Sequence, residues 1–176
     1  MPKSVKFAVL TAATSAMVAA SSAPAFSGSA PDTAGARPDH ENVMIINKNT
    51  KMCLAIGGGE KRRGKKVIQW PCTGGREQRW TVVEGLVINE KTGMCLAIGS
   101  GEKRKGKAAI QWPCNRLDDQ QWLYDGTTAD SLLNIETGMC LAIGRGEKRK
   151  GKAAIQWPCI GSKSQQWTFS NAAIGR

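Results

Sequence analysis

One segment is written three times in this chain, and copies of a short segment must bury their apolar faces against one another. Residues 50–73 read TKMCLAIGGGEKRRGKKVIQWPCT, residues 92–115 TGMCLAIGSGEKRKGKAAIQWPCN, and residues 137–160 TGMCLAIGRGEKRKGKAAIQWPCI. The second and third differ at two of 24 positions, the first and second at six. Gln-x-Trp follows each copy: Gln78 and Trp80, Gln120 and Trp122, Gln165 and Trp167. Corresponding cysteines are spaced by 42 and then 45 residues. Several repeat architectures share such a period, so the contents of a copy must decide.

Within the second copy, short apolar runs at 86–88, 94–98, 109–112 and 121–124 are punctuated by glycines, lysines and Pro113. Runs this short, with no sustained 3.6-residue period, are strands, which excludes stacked helical repeats. A propeller needs about four blades and a Trp-Asp signature, and both are absent. Three units of four strands around a pseudo-threefold axis predict an all-β fold, the β-trefoil. The ordered domain is expected over 42–170, with repeats at about 42–84, 85–126 and 127–170.

The six cysteines form three pairs, Cys53/Cys72, Cys95/Cys114 and Cys140/Cys159, each 19 residues apart. An even count at a repeated spacing implies disulfides in an oxidising compartment. Fifteen connectivities exist, and a repeat architecture favours the one in which each copy closes on itself. The competing zinc reading lacks a C-x-x-C and any histidine except His40, so no metal or cofactor is expected.

The N-terminus agrees with export. Lys3 and Lys6, an apolar stretch at 7–20 and Ala23-Pro24-Ala25 have the pattern of a secretory signal peptide over 1–25. The apolar run is short of the roughly 20 residues that cross a bilayer. Residues 26–41, which include His40, read as a flexible tail, and 171–176 as a C-terminal one.

C-L near the start of each copy, Q-W-P-C in its middle and Q-x-W at its end resemble the ricin B-type lectin repeat. The resemblance implies a carbohydrate-binding β-trefoil. It implies that Trp80, Trp122 and Trp167 are core, and that Trp70, Trp112 and Trp157 line sugar pockets. An indole face stacks on the C–H face of a pyranose, and its polar edge suits a ligand with one wet side. The chain departs from the family twice. The aspartate that accepts sugar hydroxyls two residues after the first cysteine is Ala55, Ala97 or Ala142. The asparagine before Gln-x-Trp is Glu77, Asp119 or Ser164. Glu77, Asp119 and Ser164 remain candidate sugar contacts. So do Gln69, Gln111 and Gln156, whose facing depends on register, since a one-residue slip reverses the faces.

Charge is concentrated. Residues 60–66, 102–107 and 145–152 carry +4, +3 and +4, together equal to the whole chain's +11. Lys61, Arg62, Arg63, Lys103, Arg104, Lys105, Lys148, Arg149 and Lys150 are candidate anion-binding residues, able to raise the local density of acidic ligands in a salt-dependent way. The plainer alternative is a solvated hairpin tip, copied by duplication. Specific nucleic-acid recognition is not expected, because the basic segments are short, separate and free of aromatics.

Catalysis needs groups of tuned pKa in mutual reach. The domain holds no histidine base, no G-x-S-x-G serine and no free cysteine, so the chain reads as a binder. Two functions follow. One is a secreted, monomeric module with up to three equivalent sites for a polysaccharide or glycoconjugate, biased by the basic loops to anionic or cell-wall glycans and strengthened by avidity. The other is a cationic protein that associates with any polyanion.

Overall fold

The computed structural model describes residues 39–125 and 130–171. Their twelve strands come in three sets of four. The first set is β1 (His40–Asn47), β2 (Cys53–Ile56), β3 (Val67–Trp70) and β4 (Arg79–Val83). The second is β5 (Leu86–Asn89), β6 (Cys95–Ile98), β7 (Ala109–Trp112) and β8 (Trp122–Asp125). The third is β9 (Ser131–Asn134), β10 (Cys140–Ile143), β11 (Ala154–Trp157) and β12 (Trp167–Ser170). The helical segments among the described residues are three-residue 3₁₀ turns. The expected all-β trefoil is the fold.

Each copy is built on a hairpin whose register is repeated. Cys53 faces Trp70, Cys95 faces Trp112 and Cys140 faces Trp157. The second cysteine lies two residues beyond that tryptophan, and the disulfides are Cys53–Cys72, Cys95–Cys114 and Cys140–Cys159, as expected. Closing such a loop restricts the unfolded chain by about 3 kcal/mol. The first strand of each hairpin, Cys-Leu-Ala-Ile, is buried throughout. The second alternates: Val67 and Gln69 are buried while Trp70 is exposed, and the same holds at 109–112 and 154–157. Side chains on a strand point alternately to its two faces. That parity therefore sends the Trp-Pro-Cys tryptophan outward and the preceding glutamine inward.

The shared core is lined by Leu54, Ile56, Leu96, Ile98, Leu141 and Ile143, with Trp80, Trp122 and Trp167 packed among them. Each indole N–H donates to the leucine carbonyl of its own copy's buried strand: Trp80 Nε1 to Leu54 (2.9 Å), Trp122 to Leu96 (3.0 Å) and Trp167 to Leu141 (3.0 Å). A buried indole thus keeps its one donor satisfied. The glutamines of Gln-x-Trp are buried as well. Gln78, Gln120 and Gln165 donate to the carbonyls of Pro71, Pro113 and Pro158 and accept from the backbone N–H of Thr73, Asn115 and Ile160. They hold the segment after Trp-Pro-Cys in place.

The copies are also tied to one another. β1 pairs with β12, which joins the first copy to the third. Asn47, Asn89 and Asn134 are buried and each donates to backbone carbonyls around the Gln-x-Trp of the preceding copy. These asparagines stand six residues before each first cysteine, a regularity visible in the sequence.

Strand β1 starts at His40, inside the stretch expected to be tail, and the imidazole packs at a tilt against Phe169 with ring centroids 4.5 Å apart. The segment expected to be a signal peptide, 1–25, residues 26–38 of the expected N-terminal tail and residues 172–176 of the expected C-terminal one lie outside the described residues. Among the described residues no helix is long and apolar enough to cross a membrane.

Candidate functional site

Trp70, Trp112 and Trp157 keep 39%, 39% and 40% of their surface exposed, against full burial for the Gln-x-Trp tryptophans. Two clefts open beside them. The second-copy cleft, about 820 Å³, is walled by Gly99–Gly101, Ile110, Trp112, Asn115–Asp119 and Glu136, with Lys107 at one side. The third-copy cleft, about 640 Å³, is walled by Ala142–Arg145, Lys152, Ile155, Trp157, Ile160, Ser162, Ser164 and Gln165. Asp119 and Ser164, both expected sugar contacts, therefore do line clefts beside the exposed tryptophans. In the first copy the Glu77 side chain is half-buried, and its carboxylate occupies the space that a Cβ on Gly75 would take.

Gln69, Gln111 and Gln156 line neither cleft and are buried, which corrects the expectation that they touch a sugar. All three are fully buried. Each amide nitrogen makes two hydrogen bonds to backbone carbonyls of another copy's basic loop. Gln111 holds Glu60 and Arg62, Gln156 holds Glu102 and Arg104, and Gln69 holds Glu147 and Arg149, at 2.6–2.9 Å. Their Oε1 atoms are buried and accept no hydrogen bond among the described residues. Backbone bonds strengthen the same link: Gly64 N–H donates to Gln111 O, Gly106 to Gln156 O and Gly151 to Gln69 O, all 2.9 Å.

The basic loops are consequently docked rather than free hairpin tips. Loop one lies on copy two, loop two on copy three, and loop three on copy one. A Cβ at Gly64, Gly106 or Gly151 would sit 3.7–3.8 Å from Trp112, Trp157 or Trp70. These glycines hold φ of 72–78°, a left-handed backbone that suits glycine. Every exposed tryptophan is thus backed by the preceding copy's cationic loop, and Lys150 Nζ lies 5.6 Å from the Trp70 ring centroid, within cation–π range.

Within each loop the glutamate organises two of the cations. Glu60 pairs with Arg62 and Lys65, Glu102 with Arg104 and Lys107, and Glu147 with Arg149 and Lys152. Hydrogen bonds from these partners lower all three carboxyls, Glu147 to about 2. Arg62, Arg104 and Arg149, expected to bind anions, are therefore engaged within their own loops. Lys103 lies 3.7 Å from Glu136. Lys61, Arg63, Lys105 and Lys148 are exposed and form no ion pair among the described residues.

The position of the family aspartate is a buried methyl in every copy, with Ala55, Ala97 and Ala142 at 3% exposure or less. Polar contacts must come from the rim, which each copy shares with the next. A Cβ at Gly59 would meet Lys91, one at Gly101 would meet Glu136, and one at Gly146 would meet Asn49. Each of these residues stands four positions before the next copy's first cysteine, counting the first copy as following the third. In the second cleft, burial, with added repulsion from Glu136 and Asp118, raises the Asp119 carboxyl above its ordinary range. Among the described residues no cluster of His, Cys, Asp or Glu could hold a metal ion.

The model of the ricin-type β-trefoil lectin domain matches residues 41–172. The chain belongs to this lectin family. Its fold is similar to that of a designed threefold-symmetric protein, ThreeFoil, with TM-score 0.69 and 23% identity over 74% of this chain and 98% of that one. It is also similar to the C-terminal half of an earthworm R-type lectin, solved with GalNAc (TM-score 0.63, 16% identity, 74% of this chain and 98% of that one). A third similar structure is a non-toxic homologue of type II ribosome-inactivating proteins from bitter gourd, Momordica charantia, solved with α-methyl-D-galactoside (TM-score 0.64, 20% identity, 74% and 47%). At these identities the likeness is one of fold. No curated protein matches the sequence. As a ricin-type lectin domain, the chain is a carbohydrate-binding module.

Proposed function

We propose that this lectin domain is an exported, non-catalytic module that binds a polysaccharide or glycoconjugate through several clefts and favours anionic glycans. The observation that carries the reading is the pairing of an exposed tryptophan with a cationic loop from the preceding copy, made three times. The indole supplies an apolar platform for a pyranose. The loop supplies positive potential, and Glu60, Glu102 and Glu147 keep its backbone in one shape through their ion pairs. Without the family aspartate each contact is weak, on the order of millimolar. A repeating polymer that engages more than one cleft gains roughly 10²–10⁴ in avidity where spacing permits. Three disulfides accord with an oxidising compartment. The lysines and arginines around Glu60, Glu102 and Glu147 keep those carboxylates ionised, so they do not act as acids near neutral pH.

One observation favours a second reading, a general polyanion binder: Lys61, Arg63, Lys105 and Lys148 are exposed with no ion-pair partner among the described residues. A panel of neutral glycans, acidic glycans and heparin, run at low salt and at about 0.3 M, separates the two. The lectin reading expects saturable binding to particular glycans that persists at the higher salt. Binding that follows charge density alone and collapses with salt would replace it with the second reading.

A further inference from the structure

The second and third clefts share a tryptophan and a hydrophobic floor, but their rims do not carry the same charge. Five positions can be matched through the repeat. In the second cleft they are Ser100, Arg116, Asp118, Asp119 and Glu136, with a formal charge of −2. The matched positions of the third copy are Arg145, Gly161, Lys163, Ser164 and Asn49; of these Arg145 and Ser164 line the third cleft and give it +1. Arg116 is paired with Glu84 and Lys103 lies 3.7 Å from Glu136, so Asp118 and Asp119 are the acids of the second rim that have no ion pair among the described residues. Lys107 and Lys152 occupy the same place in the two clefts and are bound alike to Glu102 and Glu147, so they do not alter the contrast.

Arg145 marks the difference. It is exposed at the third cleft, and its side chain makes no hydrogen bond or ion pair among the described residues. Its backbone is left-handed, φ 57°, where the first copy has Gly58 at φ 67°. A bulky residue there carries a strain that glycine avoids. Beside it, Ser162 and Ser164 hydroxyls lie 2.8 Å apart, and no carboxylate lines the cleft. An unpaired guanidinium, two hydroxyls and an exposed indole together fit a sugar ring that bears an anionic substituent, since guanidinium binds carboxylate, sulfate and phosphate strongly. The second cleft places Asp118, Asp119 and Glu136 around the same space and repels such a group.

We infer that the third cleft, with Arg145 as its specificity-determining residue, is the site for anionic glycans, and that the second cleft excludes them. This rests on the lectin reading above and divides its charge preference among the clefts. The indole N–H signals of Trp70, Trp112 and Trp157 report each site separately by two-dimensional NMR of the ¹⁵N-labelled protein. The probes are a galacturonic acid trisaccharide, its neutral galactose counterpart, galactose 6-sulfate and galactose 6-phosphate, in about 0.15 M salt. The acidic trisaccharide is expected to shift Trp157 at a concentration about tenfold lower than Trp112, the scale of one charge-assisted contact. The two monosaccharides show which anionic group is preferred. Arg145→Gly restores the first copy's residue at a backbone that suits it, and should weaken binding at Trp157 about tenfold while Trp112 and Trp70 are unchanged. Asp119→Ser with Glu136→Asn should open the second cleft to the acidic probe. Equal titration of Trp112 and Trp157, or no effect of Arg145→Gly, would overturn the inference alone. Silence of all three indoles toward every probe, neutral ones included, would overturn the lectin reading with it.

Discussion

The Gln-x-Trp layer and the sequence positions that rim the clefts are both present three times, yet only the first has stayed the same. In the interior the three indoles donate to equivalent leucine carbonyls at 2.9–3.0 Å, and three glutamines tie equivalent proline carbonyls. At the rims, matched positions hold Gly58, Ser100 and Arg145, or Glu77, Asp119 and Ser164, or Lys91, Glu136 and Asn49. The interior closes on itself through contacts that every copy must make, so a change in one copy is felt by the others. A rim residue faces solvent and is free to differ. Triplication therefore fixes the scaffold and leaves recognition to be written copy by copy.

The largest contrast should appear between two tryptophans of one repeat. Trp122→Ala removes a buried indole and its hydrogen bond to Leu96, and should cost about 3–5 kcal/mol in denaturant unfolding. Trp112→Ala, at an exposed ring, should cost less than about 1 kcal/mol while abolishing ligand response in the second cleft. Similar losses of stability in both would erase the distinction between layer and rim. Next in size, replacing Cys95 and Cys114 together by alanine should lower stability by about 3 kcal/mol, with glycan binding in the third cleft retained at a temperature where the fold persists.

A smaller effect is expected for Gln111→Leu, about 1–3 kcal/mol, because the carbonyls of Glu60 and Arg62 lose their buried donor. Hydrogen exchange should rise in loop 60–66 of the first copy rather than in the loop of the second copy, where Gln111 itself resides. That cross-copy response distinguishes docked loops from independent hairpin tips.

The smallest effects concern pH. The folded Glu147 carboxyl lies at about 2, below its ordinary 4.5. Its ion pairs thus favour the fold fully above pH 4.5, and that contribution fades as pH falls toward 2. Asp119 has the opposite sign: its raised carboxyl favours the fold while protonated, and the benefit is lost as pH rises through the folded value. Carboxyl carbon NMR titration should place Glu147 below and Asp119 above their respective ordinary ranges. Coincident, ordinary titrations would show that loop and rim do not differ electrostatically.

Much of this was legible in the chain. The repeat, its short apolar runs and the 19-residue cysteine spacing led to the trefoil, to the three disulfides and to the buried Gln-x-Trp tryptophans. The facing of Gln69, Gln111 and Gln156 was not legible, because a strand's inward face depends on a register that one residue of slip inverts. Here Cys53 pairs with Trp70, and that register turns Gln69 inward. Loop docking escaped for a different reason, since the partner of residues 60–66 lies about 50 residues away in another copy. The rim escaped likewise: Asn49, Lys91 and Glu136 belong by sequence to one copy and by position to the cleft of another. His40 reads as tail by composition, yet β1 recruits it by pairing and by its ring contact with Phe169.

The most direct test replaces Trp70, Trp112 and Trp157 together by alanine and measures glycan binding by calorimetry, with circular dichroism to confirm the fold. The predicted result is a folded protein, with its disulfides and basic loops intact, that no longer binds the glycans its parent recognises at physiological salt. A folded triple variant that binds them as tightly as the parent would contradict the account, because recognition would then reside elsewhere than on the exposed indoles.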